Sequence, residues 1–265
     1  MFNWALYKRE MKSGSTMLLI FIAVISLYVS IIITTFNPDA NPFKEFEEMM
    51  PGIMEAVGMI QTDSSMLGYF AAILYGFILI IIPMVFSILS ANKLIAKYVD
   101  NNSMASLLAA PIKRARLVIT QIYALFTGII IIVGYVTLLQ IGIAEFCFPG
   151  ELDINKLLIL NLCLLILHFF IAGICFICSC IANSTSASIG WGAGIPSLML
   201  ILQMLGNVGD KADWVKYCTF FTLFNPQEII AGTTSALLNI AILGISSAII
   251  FFIAIQTFIA KDLNV

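Results

Sequence analysis

Between Lys156 and Asp210 the chain runs for 53 residues without a charged side chain. As one helix at about 1.5 Å per residue this stretch would reach about 80 Å, against roughly 30 Å of bilayer hydrocarbon. It must fold back on itself, and its one polar break is Asn183-Ser184-Thr185-Ser186. Four other uncharged gaps each suit one helix: 26 residues after Lys12, 29 after Asp63, 28 after Arg116 and 32 after Glu228. A central Lys, Arg or Asp costs about 2.5–3.5 kcal/mol on insertion, which is why charges mark the ends of spans. The expectation is an all-α membrane protein, one transmembrane domain over 1–265, with six spans at 17–36, 66–91, 117–143, 157–182, 187–206 and 237–260.

Composition agrees. The chain is 61% hydrophobic and 11% charged, where a soluble domain is about 25% charged. That excludes a soluble enzyme and a disordered chain, and a formal net charge of −2 excludes the basic footprint of a nucleic-acid binder. Six spans put both termini on one side. The flanks on that side hold Lys8, Arg9, Lys12, Lys93, Lys97, Lys113, Arg114, Arg116 and Lys261, against Lys44, Lys156, Lys211 and Lys216 opposite. The positive-inside rule makes the termini cytoplasmic. The basic start and apolar run resemble a signal peptide, but the run is too long and no A-x-A-like site follows, so the first span is read as retained. Phe2, Trp4 and Tyr7 beside Lys8, Arg9 and Lys12 suit the headgroup zone, which predicts a short interfacial helix over 1–14.

The spans lack deep Asp, Glu, Lys or Arg, the groups that ion-coupled carriers and proton relays use. His168, the sole histidine, reads as a neutral side chain bonded to a neighbouring helix, since a relay has no carboxylate partner. Cys175, Cys178 and Cys180 form C-x-x-C-x-C but do not share one helical face, so a metal site is not expected. Cys147 and Cys218 fall on the outer side, where spacing alone cannot show a pairing. With no Gly-Lys pair there is no P-loop, and no catalytic constellation is present, so the chain is not read as an enzyme. Gly190-x-x-x-Gly194 matches the small-x-x-x-small pattern of close helix packing.

The loop over 97–116 reads KYVDNNSMASLLAAPIKRAR. Asp100, Asn101, Asn102 and Ser103 favour helix N-caps, Met104, Leu107 and Leu108 share a face, and Pro111 ends the helix before Lys113 and Arg114. On the other side, the loop over 37–65 places Phe43, Phe46 and Met50 opposite Glu45 and Glu48. Ile53, Met54, Val57 and Ile60 extend the apolar stripe past Pro51-Gly52. The gate reading and the plain cover reading of this loop stand level. A second outer cap over 208–236 holds Trp214 and Phe220-Phe221 and breaks at Pro226.

The run Asp100…Leu107-Leu108-Ala109-Ala110-Pro111-Ile112-Lys113-Arg114 resembles the acid…LL-x-x-P-[IL]-x-R signature of ABC-2 type permeases, the membrane subunits of ATP-binding-cassette transporters. The start helix, six spans, short fourth-to-fifth loop and Phe224-Asn225-Pro226 also fit; the residue after the acid and Gln121 depart from the usual pattern. The resemblance implies an ABC-2 permease-like bundle whose coupling helix docks on a separate ATPase. Asp100, Asn102, Met104, Leu107, Leu108, Pro111, Lys113 and Arg114 would make the docking contact, with Asn183, Ser184 and Thr185 as a second cytoplasmic contact. It implies no cofactor in this chain, ATP and Mg on two copies of a P-loop ATPase subunit, and a second permease copy, same or homologous. It places the chain in a bacterial plasma membrane. The cargo expected is an amphipathic peptide, as in the similar exporters of phenol-soluble modulins, gated by Phe43, Phe46, Met50 and Met54. Lipid or drug efflux is the alternative, and a passive channel or accessory scaffold is the alternative of another class.

Overall fold

Six helix starts in this chain are set by side-chain caps. In the computed structural model, which describes residues 2–37, 51–59, 65–101, 113–208 and 210–261, Asn3, Ser65, Asp153, Ser184, Asn225 and Thr233 each accept an amide hydrogen bond from the first turn of the helix that follows. Each thereby satisfies one of the orphan N–H groups at a helix start. The helices are α1 (Trp4–Thr34), α2 (Pro51–Ala56), α3 (Met66–Asp100), α4 (Arg114–Cys147), α5 (Ile154–Ile181), α6 (Thr185–Asn207), α7 (Pro226–Ala231) and α8 (Thr234–Ala260). Two 3₁₀ segments, Asp210–Cys218 and Phe220–Leu223, join α6 to α7. Among the described residues there is no strand, and α1, α3, α4, α5, α6 and α8 are each long and apolar enough to cross a membrane. The protein is an all-α, multi-pass membrane protein.

The helix α5 stands at the centre, packed against α3, α4, α6, α7 and α8, while α1 lies along α4 and α3. Three polar contacts zip α1 to α4: the Asn3 amide donates to Thr120 Oγ1 at 3.2 Å, Tyr7 donates to Thr127 at 3.0 Å, and Ser26 and Tyr135 share a hydrogen bond at 2.7 Å. Both ends of the described chain lie at one end of the bundle, since Arg114 reaches the Lys261 carbonyl there. The exposed Lys8, Arg9, Lys12 and Lys113 cluster at this end, here called the basic end.

Two expectations change. The separate helix over 1–14 and the span over 17–36 are one continuous helix, α1. Its 31 residues make about 46 Å, enough to serve the interface and the hydrocarbon together. The lone Gly14 between them costs only about 1 kcal/mol in a helix, too little to break it. The helix of the second span does not end at residue 91: α3 carries Lys93 and Lys97 on to Asp100. Asp100 therefore closes the last turn of α3, with Asn101 as its C-cap.

Candidate functional site

One face of α5 carries Asn161, His168, Cys175 and Ser179. The steps of seven, seven and four keep them in register on a 3.6-residue helix. All four are buried or nearly so, and each bonds to a neighbouring helix at a place where regular main-chain bonding is interrupted.

At the basic end, α3 makes a π-turn over Asn92–Ala96. The Ser179 hydroxyl donates to the Ala91 carbonyl at 2.9 Å, accepts from the Ala96 amide at 3.3 Å, and receives the Ser188 hydroxyl of α6 at 3.1 Å. One hydroxyl thus stitches three helices together. A level further in, the Cys175 thiol donates to the Gly192 carbonyl of α6 at 3.3 Å. That carbonyl would take the amide of residue 196, which is Pro196 and has none. The same logic recurs at His168. Pro83 in α3 cannot return an N–H to the Leu79 carbonyl, and His168 Nε2 lies 2.8 Å from that oxygen. A carbonyl only accepts, so Nε2 carries the proton and Nδ1 is bare. At the far end of the face, Asn161 Nδ2 donates to Gln140 Oε1 of α4 at 3.0 Å. The Tyr75 hydroxyl, in the second π-turn of α3 (Leu74–Ile78), lies 3.0 Å from Gln140 Oε1 and 2.9 Å from Asn161 Oδ1. Helix interruptions are tolerated in lipid because neighbours re-satisfy the freed groups, and here α5 performs that for both α3 and α6.

The interior also holds polar atoms with no hydrogen-bond partner among the described residues: Gln140 Nε2, His168 Nδ1, Asn92 Oδ1 and both amide atoms of Gln121. Each costs about 1–3 kcal/mol if left unsatisfied. A row of such groups beside two π-turns and two prolines is unusual for a bundle whose sole task is to be stable, since π-turns concentrate at functional sites.

A second set of contacts closes the basic end. Lys261 donates to the last carbonyls of α5: Cys180 at 2.9 Å, Ile181 at 3.1 Å and Ala182 at 2.6 Å. Arg114, the first residue of α4, donates to the Ile259 and Lys261 carbonyls at the end of α8, at 3.3 and 2.8 Å. Cations at helix C-termini meet the negative end of the helix dipole. Burial pulls the Lys261 pKa below its ordinary value.

At the opposite end, the chain after α2 turns into the bundle. Gly58, at φ 71°, brings its backbone against Gly76, where an added Cβ would meet the Gly58 carbonyl oxygen at 2.9 Å. Gly76 lies about 15 Å along α3 from its start. Asn207 Nδ2 at the end of α6 holds the Ala56 carbonyl at 3.2 Å. Gln203 donates to Asn207 Oδ1 and accepts from Thr222 at 2.8 Å, and Thr222 also bonds the Lys216 carbonyl.

Several sequence expectations can now be placed. Of the loop residues, Asp100, Lys113 and Arg114 are described; Asn102, Met104, Leu107, Leu108 and Pro111 lie outside the described residues, as do Phe43, Phe46 and Met50. Met54 in α2 is half-buried, whereas Ile53 is 58% exposed and off the expected stripe. Ser184 caps α6 by accepting from the Ala187 amide at 3.2 Å, Thr185 opens that helix, and Asn183 is exposed in the turn. The packing glycines are corrected. A Cβ on Gly190 or Gly194 would meet nothing within 4 Å, while one on Gly192 would lie 3.7 Å from the Cys175 Cα. Within this chain the packed glycine is Gly192, about 200° round from Gly190 (at about 100° per residue) and held there by the bond from Cys175. Cys147 and Cys218 are exposed free thiols, and no His/Cys/Asp/Glu group among the described residues has metal-site geometry.

One residue escaped the sequence reading. Glu10, amid basic neighbours, is 4% exposed and accepts the Tyr98 hydroxyl of α3 at 2.6 Å. Among the described residues it is the one buried acid or base other than His168. Compared with known protein families, with curated proteins and with solved structures, the chain matches none, so the site is read from its own residues.

Proposed function

We propose that this chain is the permease subunit of an ATP-binding-cassette exporter, moving an amphipathic or hydrophobic cargo, a peptide first, outward across a bacterial plasma membrane. ATP and Mg are bound by a separate ATPase subunit, present in two copies, and a second permease copy completes the assembly. The basic end faces the cytoplasm, as its excess of Lys and Arg requires.

The observation that carries this reading is the continuity of helix on both sides of the 102–112 segment. Helix α3 runs to Asp100 and α4 starts at Arg114, so a pull on the segment is delivered to two long helices at once. Of these, α3 contains both π-turns and Pro83, the features at which helices bend. Arg114 passes the movement to the end of α8, and Lys261 from there to the end of α5. Hinge or shear motion of this kind exchanges interior hydrogen bonds, and the unpartnered Gln140, Gln121 and His168 atoms are the groups available for such an exchange. An aromatic groove of about 400 Å³ between α4, α5 and α8, lined by Tyr123, Phe126, Phe169, Ser247 and Phe251, suits an apolar cargo entering from the side.

The test is the double variant Leu107→Asp/Leu108→Asp, with the chain and its ATPase reconstituted in vesicles. Loss of ATPase association and of transport, with an unchanged melting temperature, is expected. Retained association and transport would overturn the coupling role. Stimulation of ATP turnover by a cationic amphipathic peptide tests the cargo.

A further inference from the structure

Ala5, Lys8, Arg9 and Lys12 stand at i, i+3, i+4 and i+7, so they share one face of α1. With Ser13 they line an open hollow of about 730 Å³, its floor made by the small Ala5 and Ser13 and its walls by the three cations. All five residues are exposed. Among the described residues none of the three cations has an acidic partner, the ion pair within 4 Å being Lys156–Asp153. Glu10, the neighbour in sequence that could neutralise them, turns inward to the Tyr98 hydroxyl. The Arg9 guanidinium lies over the Tyr98 ring at 5.8 Å, and that stacking holds it at the surface.

The hollow sits at headgroup depth. From Ser13 to Thr34, α1 runs about 33 Å, which fills the hydrocarbon and leaves Lys8, Arg9 and Lys12 just outside it. Phe2, Trp4, Tyr7 and Tyr123 cluster at the same turns, with ring centroids 5.3–6.1 Å apart, and Trp4 is 66% exposed. Aromatic rings exposed in this way collect at the membrane–water boundary. The anion that this layer holds in quantity is the lipid phosphate, and a basic helix face at a cytoplasmic surface draws anionic lipid.

We propose that this face of α1 is a binding surface for anionic phospholipid, of the phosphatidylglycerol class. The lipid phosphate accepts from Lys8 and Lys12, one turn apart, and from the Arg9 fork. A choline lipid offers the same phosphate but brings an ammonium that the three cations repel, so net headgroup charge sets the preference. Lipid held here seats the first turns of α1 at the membrane surface, and Glu10 and Tyr98 join those turns to the end of α3. The assignment does not need the transport reading and survives its failure.

The side chains of Lys8 and Lys12 bond to no described residue, so Lys8→Gln/Lys12→Gln removes charge without loosening the bundle. Lys97→Gln/Arg116→Gln removes the same charge from exposed positions at the basic end that do not line the hollow. The full chain in detergent is titrated with phosphatidylglycerol or phosphatidylcholine, and bound lipid is counted by native mass spectrometry. Expected is tighter binding of phosphatidylglycerol. Its affinity falls about 30-fold in Lys8→Gln/Lys12→Gln, equivalent to about 1 kcal/mol for each cation, and less than about threefold in Lys97→Gln/Arg116→Gln. Lys8→Arg/Lys12→Arg keeps the affinity, and millimolar inorganic phosphate leaves the lipid bound. Equal affinity for the two lipids, binding of neither, undiminished affinity in Lys8→Gln/Lys12→Gln, an equal loss in Lys97→Gln/Arg116→Gln, or displacement by inorganic phosphate overturns the proposal.

Discussion

If His168 is present to satisfy the carbonyl that Pro83 leaves unbonded, the two positions must be thermodynamically coupled. His168→Leu keeps the volume but removes the donor to the Leu79 oxygen, which is fully buried. An orphaned buried carbonyl costs about 1–3 kcal/mol, while interhelical hydrogen bonds in membranes average about 0.6 and reach about 1.7 kcal/mol. The substitution also deletes the bare Nδ1, which offsets part of the loss, so His168→Leu should cost about 1–2 kcal/mol. Pro83→Ala supplies the missing amide, and in that background the Leu79 carbonyl bonds within its own helix. The same His168→Leu change should then cost less than about 0.5 kcal/mol, giving a coupling energy of about 1 kcal/mol or more in a double-mutant cycle. Equilibrium unfolding of the four proteins in mixed micelles measures it. Additivity within about 0.5 kcal/mol would refute the carbonyl-satisfying role of His168, whatever the single variants do.

Two further outcomes follow from the ends of the bundle. Lys261→Met removes three bonds to the last carbonyls of α5 and should lower stability by about 1–2 kcal/mol, with faster amide exchange near residues 178–182 and substantial rescue by Lys261→Arg. Gly76→Ala should raise helix propensity by about 0.5–1 kcal/mol, yet it places a Cβ 2.9 Å from the Gly58 carbonyl oxygen. The segment over 51–59 must shift, and limited proteolysis should cut it faster than in the parent protein.

The helical architecture was readable because charge is confined to helix ends by the cost of hydrocarbon burial. The 53-residue gap had to turn at its polar break, and Ala182–Ser184 is where α5 meets α6. Asp153 and Ser184 are residue types that favour helix starts, but their capping role was not read from the sequence. The interior was not readable. Spacing marks Gly190 and Gly194 as a pair but carries no azimuth, and only the Cys175 contact fixes Gly192 as the inward glycine. The π-turns at Tyr75 and Asn92 have no composition of their own, since they exist through Asn161, Gln140 and Ser179 on other helices. Glu10 looked like one more interfacial charge because its partner, Tyr98, lies 88 residues away.

The pairing of Pro83 with His168, and of Pro196 with Cys175, bears on how such a chain drifts over generations. A lineage that exchanges the proline for an amide-bearing residue frees the facing position to become leucine or phenylalanine, whereas the reverse order strands a carbonyl in oil. Substitution at these sites is therefore directional: the ring departs first, and its polar companion follows.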